Sequence, residues 1–468
     1  MTDPGLASSL EKMRADGVAE IAVRTFAHYY ERLRAGDAGV LAESEIEPVS
    51  TLPDADDLPD DEDGAREALG RTVIVKLNGG LGTSMGMTGP KSLLEVKDGL
   101  SFLDITVHQI RDLRARTGAR LPLVLMNSFA TRDASLAALT PYDDLAVDGV
   151  PADFLQSKVP KLAADDLAAA RWPDDPALEW APPGHGDLYP SLLSSGMLGA
   201  LIDGGYRYAF VANVDNLGAV LEPRLLAWFA RERIPFLMEV ADRTAADRKG
   251  GHLARRADGG LVLREIAQTP DEDVDAFQDV ERHRFFNTNT LWIDLRALAG
   301  VLRARDGVLG LPMIVNRKTV DPADASSPRV IQLETAMGAA IDVFDDARAV
   351  RVPRERFAPV KTTDDLLGLR SDAYELTGAG RIVLAAERAK TGAGAPLVRL
   401  DPDYFKLVRD FDARFPQGAP SLVRAQRLTV RGDVVFGAGV VVRGAATVEH
   451  AGDGQRMIAD GAMLDGPA

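Results

Sequence analysis

Short runs of apolar residues alternate with amphipathic stretches through the middle of the chain, from residue 71 onward. Leu103–Thr117 and Ser191–Asp203 carry apolar residues at the spacing of amphipathic helices. The apolar runs predict buried strands at Val73–Val75, Leu121–Met126, Tyr208–Val211 and Phe236–Val240. Buried strands that alternate with helices indicate an α/β fold with a mixed, mostly parallel sheet. Such sheets bind ligands at the carboxyl ends of their strands.

The two ends of the chain differ from this middle part. Leu6–Leu33 shows a helical period, and residues 43–66 form an acidic, Pro-containing connector. Arg427–His450 is rich in Val, with a Gly every few residues and no helical period, which suits two or three short β-helix rungs. We therefore expect an N-terminal segment with its connector, a catalytic domain and a C-terminal β-helix-like domain, at residues 1–70, 71–385 and 386–468.

Composition narrows the classes of function. The 468 residues are 46% hydrophobic, enough for two or three domains. A formal net charge of −16 argues against nucleic-acid binding, which needs a basic face. The chain has no Cys, which excludes disulfides, thiol catalysis and cysteine-ligated metals. It has only six His, which argues against a metal site built from several histidines. Because no long apolar run or signal pattern is present, we expect a soluble cytoplasmic protein.

One Gly-rich loop carries the first sign of chemistry. The stretch "KLNGGLGTSMGMTGPKS" (Lys76–Ser92) follows a predicted strand and fits neither the Walker A loop nor the GxGxxG dinucleotide fingerprint. Closely spaced glycines let backbone N–H groups approach a ligand, and Lys91 adds a mobile positive charge. The alternative is a flexible surface turn, but the preceding strand and the Pro-Lys-Ser end favour phosphate binding. The segment "ANVDN" (Ala212–Asn216) also follows a strand, so the two loops are expected to meet.

The loop and several later segments together resemble one family. In order along the chain these are "LNGGLGTSMGMTGPKS", "FLQSKVPK", "PPGHGDLYPSL", "YAFVANVDNLGA", "DRKGGHL", "REIAQTP", "FFNTNTLWIDL" and "VPRERFAPVKTTDDLL". The set resembles the eukaryotic-type UTP–glucose-1-phosphate uridylyltransferases over residues 20–450. The resemblance implies a Rossmann-like nucleotidyltransferase domain and a C-terminal left-handed β-helix, a region that mediates self-association in some members of the family. It also implies Mg²⁺-assisted in-line attack of glucose 1-phosphate on the α-phosphorus of UTP, giving UDP-glucose and pyrophosphate.

The resemblance implies roles around the phosphates. Lys91 would neutralise the UTP phosphates, and Lys361 would bridge phosphates of both substrates. Asp215 would hold Mg²⁺, a cation that prefers carboxylate, water and phosphate oxygens, although a strand-end Asp alone is as often a helix N-cap. The residues expected along the uridine and its phosphates are Leu77, Asn78, Gly79 and Gly80.

Further residues are expected to contact the base and the sugar phosphate. Gln156 resembles the family's uracil-reading amide, since its side chain both donates and accepts hydrogen bonds. Met126 is expected either to line the base or to be an ordinary core residue. Gly184 would let uracil approach the backbone, His185 would contact the sugar phosphate, and Asn213 would reach the sugar or its phosphate.

Three polar-loop positions are expected to approach glucose: Gly251, Glu265 and Asn289. Carboxylates and amides suit a neutral sugar, because both can hydrogen-bond its hydroxyl groups. Each of the three is equally compatible with a purely structural role.

The sequence leaves alternative functions open. The acceptor could be another sugar 1-phosphate, such as that of N-acetylglucosamine or galactose, or a broad range. A non-catalytic nucleotide-sugar binder would be expected to lack Lys91, Asp215 or Lys361, and all three are present. A structural scaffold would not need so many polar loop motifs.

Overall fold

The computed structural model describes residues 3–37, 39–244 and 247–467. The helices in these ranges are α1 (Pro4–Ala15), α2 (Glu20–Arg34), α3 (Glu62–Leu69), α4 (Phe102–Thr117), α5 (Arg132–Leu139), α6 (Leu188–Ser194), α7 (Met197–Asp203), α8 (Pro223–Arg231), α9 (Val274–Gln278), α10 (Leu295–Ala304), α11 (Thr363–Arg370), α12 (Ala386–Ala389), α13 (Pro402–Phe405) and α14 (Val408–Arg414). The strands are β1 (Ile46–Pro48), β2 (Thr72–Asn78), β3 (Glu95–Lys97), β4 (Leu100–Ser101), β5 (Leu123–Asn127), β6 (Asp153–Leu155), β7 (Val159–Pro160), β8 (Leu162–Ala163), β9 (Trp180–Ala181), β10 (Tyr208–Asn213), β11 (Phe236–Asp242), β12 (His252–Arg256), β13 (Leu261–Arg264), β14 (Phe285–Asp294), β15 (Met313–Thr319), β16 (Arg329–Thr335), β17 (Arg348–Arg351), β18 (Tyr374–Leu376), β19 (Ile382–Leu384), β20 (Leu397–Arg399), β21 (Ser421–Arg431), β22 (Val434–Phe436), β23 (Val441–Glu449), β24 (Arg456–Ile458) and β25 (Met463–Pro467).

A mixed sheet forms the centre of the molecule. Strands β10, β2, β5 and β6 lie side by side and run parallel. On the other side of β10, β14 runs antiparallel to it, and β11 and β12 both pair antiparallel with β14. The α/β fold and the mixed sheet are confirmed. The expectation of parallel pairing holds for the half that carries the Gly-rich loop, and the other half is largely antiparallel.

The sheet buries apolar side chains on both faces. Successive side chains of a strand point to opposite sides. In β2, Val73 and Val75 accordingly pack into one hydrophobic cluster with α6 and α7, and Ile74 packs into a second with α4 and α8. All four predicted strands are present, in β2, β5, β10 and β11. This two-sided core fixes the sheet edge from which the loops of the site emerge.

Two predicted helices are interrupted at glycines. The helical period over Leu6–Leu33 is divided between α1 and α2 by Gly17, whose φ of 74° lies in the left-handed region. The stretch Ser191–Asp203 is divided between α6 and α7 by Gly196, with a φ of 75°. A left-handed residue ends a helix, because it turns the backbone away from the helical path. Leu103–Thr117 is confirmed as α4.

The C-terminal segment forms parallel strands stacked in chain order. Strands β20, β21, β23 and β25 make one parallel sheet, and β22 pairs parallel with β24. The predicted short β-rungs are therefore present as a parallel C-terminal sheet. Its inner side chains share a hydrophobic cluster with Phe102 and Ile105 of α4, so this sheet packs against the part of the molecule that carries the central sheet. The domain boundaries given above remain predictions.

Among the residues that the structure describes, no helix has both the length and the apolar character needed to cross a membrane.

Candidate active site

The Gly-rich loop leaves β2 and folds back on itself at the sheet edge. Gly82 and Gly86 have φ values of 64° and 73°, conformations that glycine adopts without steric cost. The backbone N–H of Lys91 donates to the carbonyl oxygen of Gly80 at 3.0 Å. This bond returns the end of the loop to its beginning, so Lys91 stands beside the carboxyl end of β2.

Lys91 meets Asp215 at this edge. Strands β2 and β10 are parallel neighbours, so the loops that follow them emerge together. The Lys91 Nζ lies 2.5 Å from Asp215 Oδ2, and the two side chains are 16% and 20% exposed. The prediction that the two loops meet is confirmed. In the free protein each charge neutralises the other, and both remain within reach of solvent.

Gln156 lies against Gly79. Strand β6 ends beside β5, and the Gln156 N–H donates to the Asn127 carbonyl oxygen at 2.8 Å. A Cβ placed on Gly79 would stand 2.7 Å from the Gln156 side-chain oxygen and 2.9 Å from its nitrogen. The primary amide of Gln156 therefore covers the backbone at Gly79. A Cβ placed on Gly80 would meet no described atom within 4 Å.

Gly79→Ala is expected to weaken UTP binding about tenfold, since the new methyl group displaces the end of the flexible Gln156 side chain and costs about one hydrogen bond. The fold should persist, because the colliding atoms belong to a mobile side chain rather than to backbone. The measurement is the Kd for UTP by calorimetry. Gly300→Ala in α10 is the matched control, since a Cβ there meets no described atom within 4 Å. An unchanged UTP affinity in Gly79→Ala would contradict the role given to Gln156.

The side chains of Asn78 and Met126 point into the protein. The Asn78 Nδ2 donates to Asn127 Oδ1 at 2.8 Å and to Ser135 Oγ at 2.7 Å, which ties β2 to β5 and α5. Met126 is 2% exposed and belongs to the core cluster against which Leu77 also packs. Of the two expectations for Met126, this position favours the core residue. Contacts of Leu77, Asn78 and Met126 with a ligand remain predictions.

Gly184 and His185 form a rigid turn next to β16. Gly184 has a φ of 79°, and a Cβ there would collide with the Thr335 backbone, which donates to the Pro183 carbonyl at 3.0 Å. The Nδ1 of His185 accepts a hydrogen bond from the Met337 N–H at 2.9 Å. Burial lowers the pKa of the His185 imidazole to about 4. The ring is therefore neutral at pH 7 with its proton on Nε2, which leaves that nitrogen as a hydrogen-bond donor.

Further contacts connect this turn to its surroundings. The Ser157 N–H donates to Asp187 Oδ2 at 2.5 Å, so the residue after Gln156 touches the end of the turn. On the other side, Gly338 lies close enough to Asn287 that a Cβ on it would stand 2.7 Å from the Asn287 Nδ2. The structure thus links the Gln156 region, the His185 turn and β14.

Gly251 lies against Glu265, and Asn289 is connected to Gly251 through Asn287, whose N–H donates to the Gly251 carbonyl oxygen at 3.0 Å. We call Gly251, Glu265 and Asn289 the Glu265 cluster. A Cβ on Gly251 would stand 2.5 Å from the Glu265 carboxyl oxygens, so glycine leaves room for that side chain. Asn289 has a φ of 56° at an irregularity where β14 pairs with β11. Its side chain accepts from the Asn287 Nδ2 at 2.8 Å, and its N–H donates to the Asn287 Oδ1 at 2.9 Å. The two bonds to Asn287 hold Asn289 in the left-handed conformation, which Asn adopts more readily than most residues.

Lys361 stands next to the Glu265 cluster. Burial raises the pKa of the Glu265 carboxyl to about 7, and the positive charge of Lys361 partly offsets that rise. The Lys361 side chain is exposed, and its Nζ lies 5.6 Å from the Phe357 ring centroid. Within the described ranges it forms no ion pair, in contrast to Lys91. Lys361 is therefore a cation available to an anionic ligand.

Glu265 gives the site an expected pH dependence. Its carboxyl group is mostly neutral below pH 7 and charged above it, and a charged carboxylate accepts the stronger hydrogen bond. We expect kcat/KM for glucose 1-phosphate to rise as the pH passes about 7, and Glu265→Gln to remove that rise. Because the folded-state pKa is raised above the free value of 4.5, wild-type stability relative to Glu265→Gln should fall as the pH increases between these values. Parallel pH profiles in the two proteins would contradict this assignment.

Asn213 and Asn216 have different environments. Asn213 ends β10, is half-buried, and accepts the Asn216 N–H with its carbonyl oxygen at 3.2 Å. The Asn216 side chain donates to the Arg356 carbonyl at 3.1 Å and accepts from the Ala358 N–H at 3.0 Å. Asn216 therefore fastens the Asp215 loop to the segment that leads to Lys361.

Sequence reasoning missed three buried charged side chains close to the Asp215 loop: Lys76, Arg356 and Glu239. Lys76 is 2% exposed, its Nζ donates to the Ala219 carbonyl at 3.0 Å, and burial lowers its pKa to about 8. Arg356 and Glu239 form a buried ion pair. The signal for Lys76 was present, since a Lys inside the apolar strand "TVIVKLN" has to be buried. Arg356 and Glu239 gave no sequence signal.

The donor set at Asp215 fits one kind of metal. The described residues contain no group of three or more His, Asp or Glu side chains placed to hold an ion. A single accessible carboxylate suits Mg²⁺, which commonly takes one or two protein carboxylates and completes its coordination with water and substrate phosphates.

Comparisons with known proteins agree on one family. Residues 23–443 match the family model described as UTP–glucose-1-phosphate uridylyltransferase. The UTP–glucose-1-phosphate uridylyltransferase of Solanum tuberosum is 43% identical over 408 residues, which cover 87% of this chain and 83% of that protein. A probable enzyme of the same name from Schizosaccharomyces pombe is 40% identical over 403 residues, covering 86% and 77% of the two chains.

Solved structures give the same result. A variant UDP-glucose pyrophosphorylase from Leishmania major in complex with UDP-glucose aligns with a TM-score of 0.93 and 44% identity, covering 100% of both chains. A UDP-glucose phosphorylase from Trypanosoma brucei aligns with a TM-score of 0.90 and 45% identity, covering 98% of both chains.

Proposed function

The chain belongs to the UTP–glucose-1-phosphate uridylyltransferase family, and from this premise we propose how its cleft carries out the family's reaction. The activity is uridylyl transfer from UTP to glucose 1-phosphate, which produces UDP-glucose. The observation that carries the proposed site is the Lys91–Asp215 ion pair, placed where two parallel strands deliver their loops to one edge.

The central step is in-line displacement at the α-phosphorus of UTP. A phosphate oxygen of glucose 1-phosphate forms the new P–O bond, and the bond to pyrophosphate breaks. Both reactants are anionic, so the protein has to reduce their repulsion and hold them in line. The attacking phosphate is already ionised near pH 7, and the neutral His185 is therefore not needed as a base.

Binding of UTP exchanges the partners of the Lys91–Asp215 pair. The Lys91 ammonium group turns from the carboxylate to the UTP phosphates, and the Asp215 carboxylate becomes free to hold Mg²⁺. When bound, Mg²⁺ neutralises phosphate charge and orients phosphate oxygens. Lys361, which forms no ion pair within the described ranges, contacts phosphates of both substrates and stabilises charge that develops during transfer.

The uridine lies along the loop and its neighbours. Gly79 and Gly80 let the nucleotide approach the backbone, and the Gln156 amide, which covers Gly79, hydrogen-bonds the edge of the uracil. Gly184 gives the base room beside its turn. His185 donates to a phosphate oxygen through Nε2, a role supported by the Met337 N–H, which occupies Nδ1.

Glucose is recognised by the Glu265 cluster and by Asn213. The Glu265 carboxyl accepts from sugar hydroxyl groups, and the Asn289 side chain adds an amide that both donates and accepts. Gly251 leaves the space that the Glu265 side chain occupies. These contacts suit a neutral hexose, and the adjacent Lys361 suits the phosphate attached to it.

The test of this assignment is pyrophosphate release from UTP with a panel of sugar 1-phosphates. We expect release with glucose 1-phosphate and a lower kcat/KM with the galactose and N-acetylglucosamine analogues. Glu265→Gln should reduce discrimination between glucose and galactose more than it changes the KM for UTP. A panel in which another sugar 1-phosphate reacts fastest would keep the mechanism and change the substrate.

For the C-terminal strands we propose a left-handed β-helix that mediates self-association. The parallel pairing of β20, β21, β23 and β25 supports the first part. The second part rests on the family resemblance, and the exposed apolar side chains of this unit, Leu397, Met457 and Met463, are the positions at which to test it. Light scattering tests it: charged substitutions at Met457 and Met463 should shift the protein to a smaller species.

A further inference from the structure

A buried ion pair joins β11 to the segment that leads to Lys361. The Arg356 Nε donates to Glu239 Oε2 at 2.7 Å, and the Arg356 Nη2 donates to Glu239 Oε1 at 2.7 Å. The Arg356 side chain is 11% exposed and that of Glu239 is fully buried. A two-pronged pair of this kind fixes orientation as well as distance. Burying such a pair often adds little net stability, so its role is sought in the segments that it joins.

The Glu239 end of the pair is attached to the strand that carries Asn289. The Trp292 indole N–H donates to Glu239 Oε1 at 2.9 Å, and the Thr288 hydroxyl donates to the Glu239 carbonyl at 2.8 Å. The pairing of β11 with β14 shifts register between Glu239 and Val240. Asn289, with its φ of 56°, lies within that irregular stretch of β14. Glu239 is therefore bonded to β14 on both sides of Asn289, at Thr288 and at Trp292.

The Arg356 end is attached to the segment that carries Lys361. Arg356 ends a short 3-10 turn, and the chain reaches Lys361 five residues later. Asn216 accepts from the Ala358 N–H at 3.0 Å and donates to the Arg356 carbonyl at 3.1 Å, which joins this segment to the Asp215 loop. The Lys361 ammonium is exposed and has no ion-pair partner among the described residues. Its backbone N–H donates to Asp365 Oδ2 at 2.8 Å, so its location is set by the Arg356 segment on one side and by the start of α11 on the other.

We propose that Arg356 and Glu239 are positioning residues that set the distance between Lys361 and the Glu265 cluster. The proposal rests on the roles given above to Lys361 and Asn289 in the transfer reaction. The pair fixes β14, which carries Asn289, relative to the segment that carries Lys361. It thereby aligns the glucose 1-phosphate with the phosphates of UTP. The UTP contacts at Gly79 and Gln156 lie on other elements and should not depend on it.

A double-mutant cycle tests this proposal. Arg356→Lys keeps the positive charge, so Glu239 is not left unpaired, but loses the two-pronged geometry. We expect kcat/KM for glucose 1-phosphate to fall about 10- to 100-fold, with the Kd for UTP changed less than about twofold. In a Lys361→Ala background, Arg356→Lys should lower kcat/KM by less than about threefold, since residues that act through one another are not additive.

The control is a comparable ion pair in the C-terminal part. The Arg414 Nη2 lies 2.9 Å from Asp433 Oδ1, with side chains 13% and 23% exposed. Arg414→Lys should lower the Tm about as much as Arg356→Lys and leave kcat/KM unchanged. If Arg356→Lys does not fold, the double variant Arg356→Gln/Glu239→Gln gives a second approach, because it leaves no unpaired charge and retains an acceptor for Trp292. The same difference is expected, a lower kcat/KM for glucose 1-phosphate with little change in UTP affinity.

The outcomes separate this proposal from the proposed function. A lower Tm with unchanged kcat/KM in Arg356→Lys would show a purely structural pair and overturn the proposal. A second contrary result is an impaired Lys361→Ala enzyme in which Arg356→Lys lowers kcat/KM by the same factor as in wild type. That result would also overturn the proposal, and it would leave the role of Lys361 intact. Full activity of Lys361→Ala would refute the role of Lys361, and the positioning role with it.

Discussion

Lys361→Ala should lower kcat about 10²- to 10³-fold while the Kd for UTP changes less than about threefold. Lys361 is exposed, forms no ion pair within the described ranges, and stands close enough to Glu265 to influence its pKa. In the free enzyme this cation therefore has no ion-pair partner among the described residues to stabilise. Its charge acts when the sugar phosphate and UTP are both bound and transfer begins, so its loss should appear mainly in kcat.

The measurement combines steady-state kinetics with calorimetric titration of UTP. Lys390→Ala, which removes an exposed lysine directly after the short helix α12, is the control and should behave as wild type. Equal losses of turnover and of UTP affinity in Lys361→Ala would place this lysine in ground-state binding and contradict its assigned role.

Asp215→Asn should have the larger effect, a loss of turnover of about 10³-fold or more. The substitution keeps the shape of the side chain but removes the charge that we propose holds Mg²⁺. In the wild type the Lys91 Nζ lies 2.5 Å from Asp215 Oδ2, so the substitution also leaves Lys91 without its charged partner in the free protein. UTP alone should then bind at least as well as to wild type, because Lys91 no longer has to leave a carboxylate. The Mg²⁺ dependence of UTP binding should disappear.

Calorimetry with and without Mg²⁺ separates these effects from a general loss of folding. Asp453→Asn, at an exposed carboxylate near the C-terminus, is the control and should retain both activity and Mg²⁺ dependence. An Asp215→Asn protein that still binds UTP more tightly when Mg²⁺ is added would show that the metal is held elsewhere.

Local patterns predicted the part of the fold that depends on neighbouring residues. The apolar runs of β2, β5, β10 and β11 and the period of α4 were readable, because burial and periodicity are properties of short segments. The interruptions at Gly17 and Gly196 were not, since a glycine within a helical pattern is compatible with either continuation or a left-handed end. The antiparallel half of the sheet was not predicted either, because strand order is set by packing over the whole domain.

The candidate site divides in the same way. The loops carrying Lys91 and Asp215 were expected to meet because both follow buried strands, and they do. The family resemblance supplied Gln156, Glu265 and Lys361, whose neighbours only the structure could provide. The Arg356–Glu239 pair joins residues 117 positions apart, and neither side chain belongs to a pattern that local reasoning could recognise.

The ion pair between Lys91 and Asp215 also accounts for an acidic protein that binds anions. The chain carries a formal charge of −16, so distant electrostatics oppose the approach of UTP. In the free protein the Lys91 ammonium is paired with the Asp215 carboxylate, and we propose that substrate and metal separate them. This arrangement predicts that UTP and Mg²⁺ bind with positive coupling, each increasing the affinity for the other.

The most direct test of the central claim is pyrophosphate release from UTP and glucose 1-phosphate, followed as Mg²⁺ is increased, in wild type and in Asp215→Asn. Our account predicts saturable, Mg²⁺-dependent release in the wild type and almost none in the variant at any Mg²⁺ concentration, with both proteins folded. Comparable release by the variant at the same Mg²⁺ concentrations would show that the Lys91–Asp215 edge is not the site of uridylyl transfer.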